Sequence, residues 1–125
     1  MHENEIAKII VDRAFKIHNT LGPGLLESVY SAALAYELRN RGLRVKMEQP
    51  IPAVYENIKF EFGFRADLII EKKVIIEVKS LEALAPVHAK ILLTYLRLAD
   101  KRLGLLINFN VELIKDGIKR VVNNL

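Results

Sequence analysis

The sequence lacks several features that would place it in particular classes of protein. It contains no cysteine, which excludes disulfide bonds, cysteine-ligated zinc ribbons and iron–sulfur clusters. No apolar segment approaches the roughly 20 residues of a transmembrane helix, and residues 1–5 lack the basic and apolar regions of a secretory signal. There is also no internal repeat and no low-complexity tract. These absences predict a cytoplasmic protein that does not enter a membrane.

The composition is that of a small globular protein with a modest positive charge. Of the 125 residues, 51% are hydrophobic, which is enough for one core and predicts a single domain spanning residues 1–125. Nineteen Lys and Arg residues against fifteen Asp and Glu residues leave a net charge of +4. That charge is compatible with binding to a polyanion, although ordinary solvated charges would produce it equally well.

Hydrophobic periodicity predicts two N-terminal helices. The first carries an apolar stripe of helical spacing and ends at Gly22-Pro23-Gly24, where two glycines and a proline stop it. The second is predicted at residues 26–41, ending before Gly42. Its predicted buried face consists of Leu26, Val29, Ala33 and Tyr36.

Strand patterns dominate the rest of the chain. Strands are predicted at residues 43–47, 51–55, 58–70, 74–79 and 103–108, with a helix at residues 86–100 before the last of them. The segment around Asp116-Gly117 is either a hairpin or a short helix. The order α–β–β–β–α–β predicts an α/β fold in which helices back a mixed sheet.

Two neighbouring strands carry the residues with the chemistry of a hydrolase. Period two places Ile75, Glu77 and Lys79 on one face of the strand at residues 74–79. In the preceding strand, the same rule places Asp67 on a polar face. The opposite face is expected to be core and includes Phe60, Phe62 and Phe64.

The connection between these strands decides whether Asp67 meets Glu77. A two-residue loop would set Asp67 opposite Ile76, whereas the three-residue loop 71–73 sets it opposite Glu77. We predict the three-residue loop, although no glycine supplies the left-handed residue that such loops favour. Both carboxylates could then bind one Mg²⁺ or Mn²⁺ ion, with the backbone carbonyl of Val78 as a third ligand.

This set of groups is what phosphodiester hydrolysis requires. A cation neutralises the phosphoryl oxygens and acidifies water, and Lys79 orients the water or stabilises the transition state. The alternative is a carboxylate–lysine lattice on a solvated sheet face, where each pair contributes about 0–1 kcal/mol. By spacing alone the two interpretations are about equally supported.

The segment Gly24-Leu25-Leu26-Glu27-Ser28-Val29-Tyr30 resembles the signature of the small GxxExxY proteins, a branch of the PD-(D/E)xK nuclease superfamily. Further matching segments cover nearly the whole chain and include Arg65-Ala66-Asp67-Leu68, Glu77-Val78-Lys79, Thr94-Tyr95-Leu96 and Leu105-Leu106-Ile107-Asn108-Phe109. The resemblance implies a restriction-endonuclease-like core and a metal-dependent nuclease. It also implies roles: Asp67 and Glu77 as metal ligands, Lys79 as the catalytic lysine, and Glu27 as a helix-borne acid completing the site.

Other residues near the predicted site have two interpretations. Glu27 would also be stabilised simply by the first turn of its helix, by about 0.3–1 kcal/mol. Tyr30, His88 and Tyr95 are candidate substrate contacts, while His88 could equally be a histidine that caps its helix. The resemblance further leads us to expect a glutamine four residues before Tyr95, where this chain has Ile91.

The sequence therefore predicts a nuclease whose partner is nucleic acid, with DNA favoured over RNA. Cleavage of branched DNA, as in compact junction resolvases, would require a homodimer, for which no motif gives evidence. A non-catalytic binding or interaction module on the same scaffold is the alternative, and a hydrolase of other substrates is a third option. A surface that contacts phosphates could form near the edge of the sheet, although ordinary solvated charges would explain these basic residues equally well: Lys101, Arg102, Lys115, Lys119 and Arg120.

Overall fold

The computed structural model describes residues 1–125 as three α-helices, five strands and one 3₁₀ turn. The helices are α1 (Glu3–Leu21), α2 (Glu27–Asn40) and α3 (Pro86–Ala99). The strands are β1 (Val45–Tyr55), β2 (Ile58–Ile70), β3 (Val74–Lys79), β4 (Leu103–Asn108) and β5 (Ile118–Val122), and the 3₁₀ turn (Ile114–Gly117) precedes β5. No helix is both long and apolar enough to cross a membrane.

The five strands form one mixed sheet in the order β1-β2-β3-β4-β5. Strands β3 and β4 are parallel, and every other neighbouring pair is antiparallel. Parallel neighbours need a crossover connection, which α3 supplies. One core lies between the sheet and α1 and α2, and a smaller core lies between the sheet and α3. This arrangement confirms the predicted α/β fold with helices on a mixed sheet.

Most predicted elements are found, with two differences in extent. Strands β2, β3 and β4 begin and end as predicted. The two strands predicted at 43–47 and 51–55 are one strand, β1, which contains Pro50 and Pro52. Both prolines are tolerated because β1 is an edge strand and one side of its backbone needs no partner. The undecided C-terminal segment contains both a 3₁₀ turn and a strand, β5, that pairs with β4.

The predicted buried face of α2 is wrong except for Ala33, which is partly buried and packs against the core. The helix instead buries Tyr30, Leu34 and Leu38, which are spaced four residues apart, whereas Leu26 is 74% exposed. Apolar residues lie on two sides of this helix, so periodicity alone could not choose between them. Packing decides: the ring of Tyr30 stacks on Phe109 with centroids 4.4 Å apart, and this anchors the Tyr30 side to the sheet.

The expectation that Phe60, Phe62 and Phe64 face the core is also wrong for the first two. Phe62 is 74% exposed, and Phe60 is exposed as well. Strand β3 pairs with β2 only near Leu68–Ile70, so the outer half of the β1–β2 hairpin extends beyond the rest of the sheet. Only Phe64 reaches the α3 side core, where its ring stacks on Tyr95 with centroids 3.8 Å apart.

Candidate active site

The connection between β2 and β3 has the three residues that the site requires. Leu68 pairs with Ile76 and Ile70 pairs with Val74, and the same register sets Asp67 opposite Glu77, as predicted. Glu71 and Lys72 supply the left-handed backbone that a glycine would usually provide, with φ values of 52° and 58°. The carboxylate of Glu71 is held by Arg44, whose backbone N–H donates to it at 2.8 Å.

Beyond the Leu68–Ile76 pair, side chains replace the backbone hydrogen bonds between β2 and β3. The N–H of Asp67 donates to Oε2 of Glu77 at 3.0 Å, and the N–H of Val78 donates to Oδ2 of Asp67 at 2.8 Å. Each carboxylate therefore binds the backbone of the opposite strand. Because the N–H and C=O of one residue in a strand point to the same side, the carbonyl of Val78 also lies on the Asp67 side of β3.

The alternation of side chains is interrupted in both β1 and β2 at this point. The Met47–Leu68 pair belongs to the α1/α2 side of the sheet, whereas the Gln49–Ala66 pair lies on the α3 side. A regular ladder would place these two pairs on the same side. Between them, Glu48 has a φ of 50°, which is left-handed backbone. At Glu48 and Asp67, the side chains of both strands therefore switch from one face of the sheet to the other.

This interruption changes how the two carboxylates meet. Asp67 faces a cavity on the α2 side, while Glu77 follows Ile75 on the α3 side. The expectation that both carboxylates point away from one shared core face is therefore wrong. They converge instead in the opening between β2 and β3, where the hydrogen bonds to the opposite backbones hold them.

The cavity beside Asp67 has a volume of about 300 Å³ and is acidic. It is lined by Glu27, Ser28, Ser31, Met47, Glu48 and Asp67. Glu48 was not identified from the sequence, because nothing in the pattern of β1 indicates a left-handed glutamate. The arrangement brings the carboxylates of α2, β1 and β2 to one concavity.

Ser80 connects Glu27 to the end of β3. Its hydroxyl donates to the carbonyl of Leu25 at 2.7 Å, and its N–H donates to Oε2 of Glu27 at 3.4 Å. Ser80 directly follows Lys79, so the first turn of α2 is held next to Lys79. Glu27 is exposed and keeps its second carboxylate oxygen free of protein hydrogen bonds.

Tyr30, the last residue of the 24–30 signature, has a structural role instead of the predicted substrate contact. It is fully buried, and its hydroxyl donates to the carbonyl of Gly22 at 2.6 Å and accepts from the N–H of Leu25 at 3.1 Å. A phosphate cannot reach a hydroxyl that is buried and fully engaged. Tyr30 closes the loop that carries the chain from α1 into α2.

The two candidate contacts on α3 differ in what they do. His88 caps its own helix, since its Nδ1 accepts from the N–H of Ala85 at 2.8 Å. Tyr95 is half-buried, and its pKa is raised by burial first and then by the charges of Glu77 and Asp67. The phenol therefore stays protonated and lies within the electrostatic reach of both carboxylates. Ile91, one turn earlier, is 38% exposed and provides no polar group.

Asn108 is a buried polar residue that the sequence interpretation did not assign to the site. It pairs with Lys79 across the parallel β3–β4 ladder. Its amide oxygen accepts from the N–H of Leu81 and its amide nitrogen donates to the carbonyl of Leu81, both at 3.0 Å. Asn108 thereby fixes the chain as it leaves the Glu77-Val78-Lys79 segment. Its signal in the sequence is a lone amide at the end of an apolar strand.

Burial makes ionisation of the Glu77 carboxyl energetically unfavourable. The residue is only 7% exposed, and burial, followed by the charge of Asp67, raises the pKa of its carboxyl to about 8. The positive charge of Lys79 acts in the opposite direction but does not compensate. Two carboxylates this close therefore lack a sufficient positive partner among the side chains of the protein.

The donor set fits a hard divalent cation. No cluster of three or more His, Asp or Glu side chains is arranged to hold a metal ion. However, Mg²⁺ is commonly bound through one or two carboxylates and keeps several water molecules. Asp67, Glu77 and the carbonyl of Val78 supply oxygen ligands only, which suit Mg²⁺ and Mn²⁺. A cation there would also offset the excess negative charge on the buried pair.

The raised pKa of Glu77 predicts a pH-dependent stability in the metal-free protein. The pKa of this carboxyl is about 8 in the folded protein, against an ordinary value of 4.5. Its contribution to the free energy of unfolding is therefore fully present below about pH 4.5. That contribution is lost as the pH rises through about 8. Since one pKa unit corresponds to about 1.4 kcal/mol, the loss should amount to a few kcal/mol.

Urea unfolding of the wild type and of Glu77→Gln in a chelator, between about pH 5.5 and 8.5, measures this loss. The free energy of unfolding of Glu77→Gln relative to wild type should increase with pH, because glutamine does not ionise. In this range the carboxyls with lowered pKa, such as those of Glu37 and Glu71, stay ionised in both proteins. A difference that does not change with pH would contradict the assignment.

Comparison with protein families agrees with this geometry. A family model of the PD-(D/E)XK nuclease superfamily matches residues 4–121, a range that includes Glu27, Asp67, Glu77 and Lys79. Searches of curated proteins and of solved structures give no significant match. Nucleases of this superfamily generally use divalent metals and act on nucleic acids. The chain belongs to the PD-(D/E)XK nuclease superfamily.

Proposed function

We propose that this protein is a metal-dependent nuclease that hydrolyses phosphodiester bonds of nucleic acids, with residues 1–125 acting as one nuclease domain. The observation that carries the proposal is the reciprocal hydrogen bonding of Asp67 and Glu77 in the opening between β2 and β3. These bonds bring two carboxylates together, and one of them, that of Glu77, has a strongly raised pKa and lies two residues before Lys79 in β3. The superfamily match covers the same residues.

Asp67, Glu77 and the carbonyl of Val78 would hold Mg²⁺ or Mn²⁺. When bound, such a cation supplies positive charge for the phosphoryl oxygens and lowers the pKa of water. On β3, alternation sets Lys79 on the same face as Glu77, and Lys79 is partly exposed to solvent. Its ammonium group can therefore orient the attacking water or stabilise the negative charge that develops on the phosphate.

Two further side chains complete the proposed site. Glu27 reaches it from α2 and would act through a water molecule, since its carboxylate lies in the same cavity as Asp67. Tyr95 lies near both carboxylates from α3 and, as a protonated phenol, can donate to a phosphate oxygen. A substrate contact by His88 would have to use Nε2, because Nδ1 caps the helix.

The finer assignments rest on resemblance and charge. The signature at residues 24–30 supports membership of the GxxExxY branch. The superfamily match and the net charge of +4 support a nucleic-acid substrate, for which we propose DNA. A homodimer would suit branched DNA, because two active sites could then act on opposite strands. A cytoplasmic location remains a prediction from the sequence.

One observation favours a second candidate function. Ile91 occupies the position at which family resemblance leads us to expect a glutamine, and its partly exposed side chain offers no hydrogen bond to substrate. A module that binds nucleic acid or protein on this scaffold, without efficient cleavage, would be compatible with that change.

A cleavage assay separates these functions. Single-stranded, duplex and branched DNA, and RNA, are incubated with the protein in Mg²⁺, in Mn²⁺ or in a chelator. The nuclease proposal predicts cleavage of at least one substrate with metal and none with the chelator. Nucleic-acid binding without cleavage would favour the binding module. Hydrolysis only of a small chromogenic phosphodiester would favour the third option, a hydrolase of other substrates.

A further inference from the structure

A second concavity lies on the α3 side of the sheet, close to the proposed site. Its volume is about 390 Å³. Apolar side chains line part of it, among them Ile51, Ile69 and Leu98, and Gln49 adds an amide. Three lysines complete the lining: Lys46 from β1, Lys72 from the β2–β3 loop, and Lys101 after α3. No acidic residue lines this concavity.

The three lysines have no carboxylate partner within the protein. All ion pairs of the structure involve other basic residues, namely Arg13, Lys16, Arg41 and Arg44. Unpaired ammonium groups around an apolar floor are suited to an anionic ligand that also carries an apolar part. A nucleotide has this chemistry, with phosphates for the lysines and a base or sugar for the apolar surface.

The charges of the two concavities are opposite. Glu27, Glu48 and Asp67 line the cavity on the α2 side, and no basic residue does. The interruption at Glu48 separates the two, because Lys46 and Gln49 face α3 while Met47 and Glu48 face α2. Phosphates are repelled by the acidic cavity, which suits a cation, and attracted by the basic concavity.

The basic concavity is also close enough to serve the same substrate. Ile69, which pairs with Lys46, is two residues from Asp67, or about 7 Å along the strand. Asp67 itself faces α2, but Glu77 and Tyr95 lie on the α3 side of the sheet, as the concavity does. Leu98 is about one helical turn beyond Tyr95. A nucleic-acid strand cut at Asp67 and Glu77 would therefore have a neighbouring nucleotide at this concavity.

We propose that the concavity of Lys46, Lys72 and Lys101 binds a nucleotide of the substrate strand adjacent to the phosphate that is cleaved. The inference rests on the proposed nuclease function and adds a subsite to it. It differs from the candidate phosphate surface that the sequence offered at Lys101, Arg102, Lys115, Lys119 and Arg120. Of that set, only Lys101 lies in the concavity.

The test compares two triple variants that remove the same charge. One carries Lys46→Gln, Lys72→Gln and Lys101→Gln, and the control carries Lys8→Gln, Lys59→Gln and Lys90→Gln at exposed positions outside the concavity. Binding of a short fluorescein-labelled single-stranded DNA is measured by anisotropy in a chelator over a series of salt concentrations. Thermal unfolding of both variants confirms that they are folded.

We expect the concavity variant to bind the DNA at least about tenfold more weakly than the wild type. The slope of log affinity against log salt concentration should be smaller by about 2, because each of the three phosphate contacts contributes about 0.7. The control should stay within about twofold of wild type, because its lysines lie outside the concavity and contact no phosphate in the proposed complex. Equal losses in both variants, or no loss in the concavity variant, would overturn the inference.

Cleavage by the wild type, measured alongside, separates this inference from the proposed function. If the wild type cuts DNA and the concavity variant binds it as tightly as wild type, the subsite is wrong and the nuclease stands. If the wild type neither binds nor cuts any nucleic acid, the proposed function fails and the subsite with it.

Discussion

Replacement of Glu77 by glutamine is expected to abolish metal-dependent cleavage while preserving the fold. Glutamine has nearly the same size, and its carbonyl oxygen can still accept the hydrogen bond from the N–H of Asp67, which is 3.0 Å long in the wild type. The negative charge that would hold the cation is lost. Changing a residue that only orients a metal ligand already costs about 10–100-fold. Loss of a ligand itself should therefore cost more than about 100-fold in cleavage rate.

Calorimetric titration with Mg²⁺ and Mn²⁺ shows whether the lost activity comes from lost metal binding. The matched control is Glu61→Gln, an exposed glutamate on β2 that takes part in no ion pair. It should bind metal and cut as the wild type does. The metal-site hypothesis is falsified if Glu77→Gln retains wild-type cleavage and metal affinity.

Replacement of Lys79 by alanine should reduce turnover by about 10²–10³-fold, the usual effect of removing one group that stabilises the transition state. Metal binding should survive, because a protonated ammonium group is not a metal ligand. The backbone of Lys79 is fixed independently, since its carbonyl accepts from the N–H of Phe109 at 2.9 Å. Strand β3 should therefore keep its position when the side chain is shortened.

Two companion variants define what the lysine contributes. Lys79→Arg keeps the positive charge and should recover part of the lost turnover, whereas Lys59→Ala, in the exposed hairpin, should have no effect. Single-turnover cleavage and metal titration are measured on all three. Turnover of Lys79→Ala equal to that of Lys59→Ala would show that Lys79 takes no part in the chemistry.

The register of the candidate site could be predicted from the sequence because it depends on local spacing. Glu77 lies ten residues after Asp67, and most of the residues between them are apolar residues of the two strands. Few lengths are therefore possible for the connecting loop, and only a three-residue loop sets the two carboxylates opposite each other. The loop achieves this without glycine, by placing Glu71 and Lys72 in left-handed backbone. An Arg44–Glu71 contact, distant in sequence, helps to hold that geometry.

The way in which the carboxylates converge could not be predicted. Period two assumes an uninterrupted strand, and the paired interruption at Glu48 and Asp67 breaks that assumption in two strands at once. Neither residue type signals such a break. Glu48 is recognised as part of the cavity only after β1 has been paired with β2 and α2 has been packed above them.

The sequence alone determined the order and type of nearly all elements, the pairing of β2 with β3, and the closeness of Asp67 to Glu77-Val78-Lys79. These features follow from periodicity and loop length, which act over a few residues. Tertiary structure decided which side of α2 is buried, how far the hairpin extends beyond the helices, and where the lysines of three separate segments meet. These features depend on contacts between residues far apart in the chain, and no local pattern of apolar and polar residues encodes them.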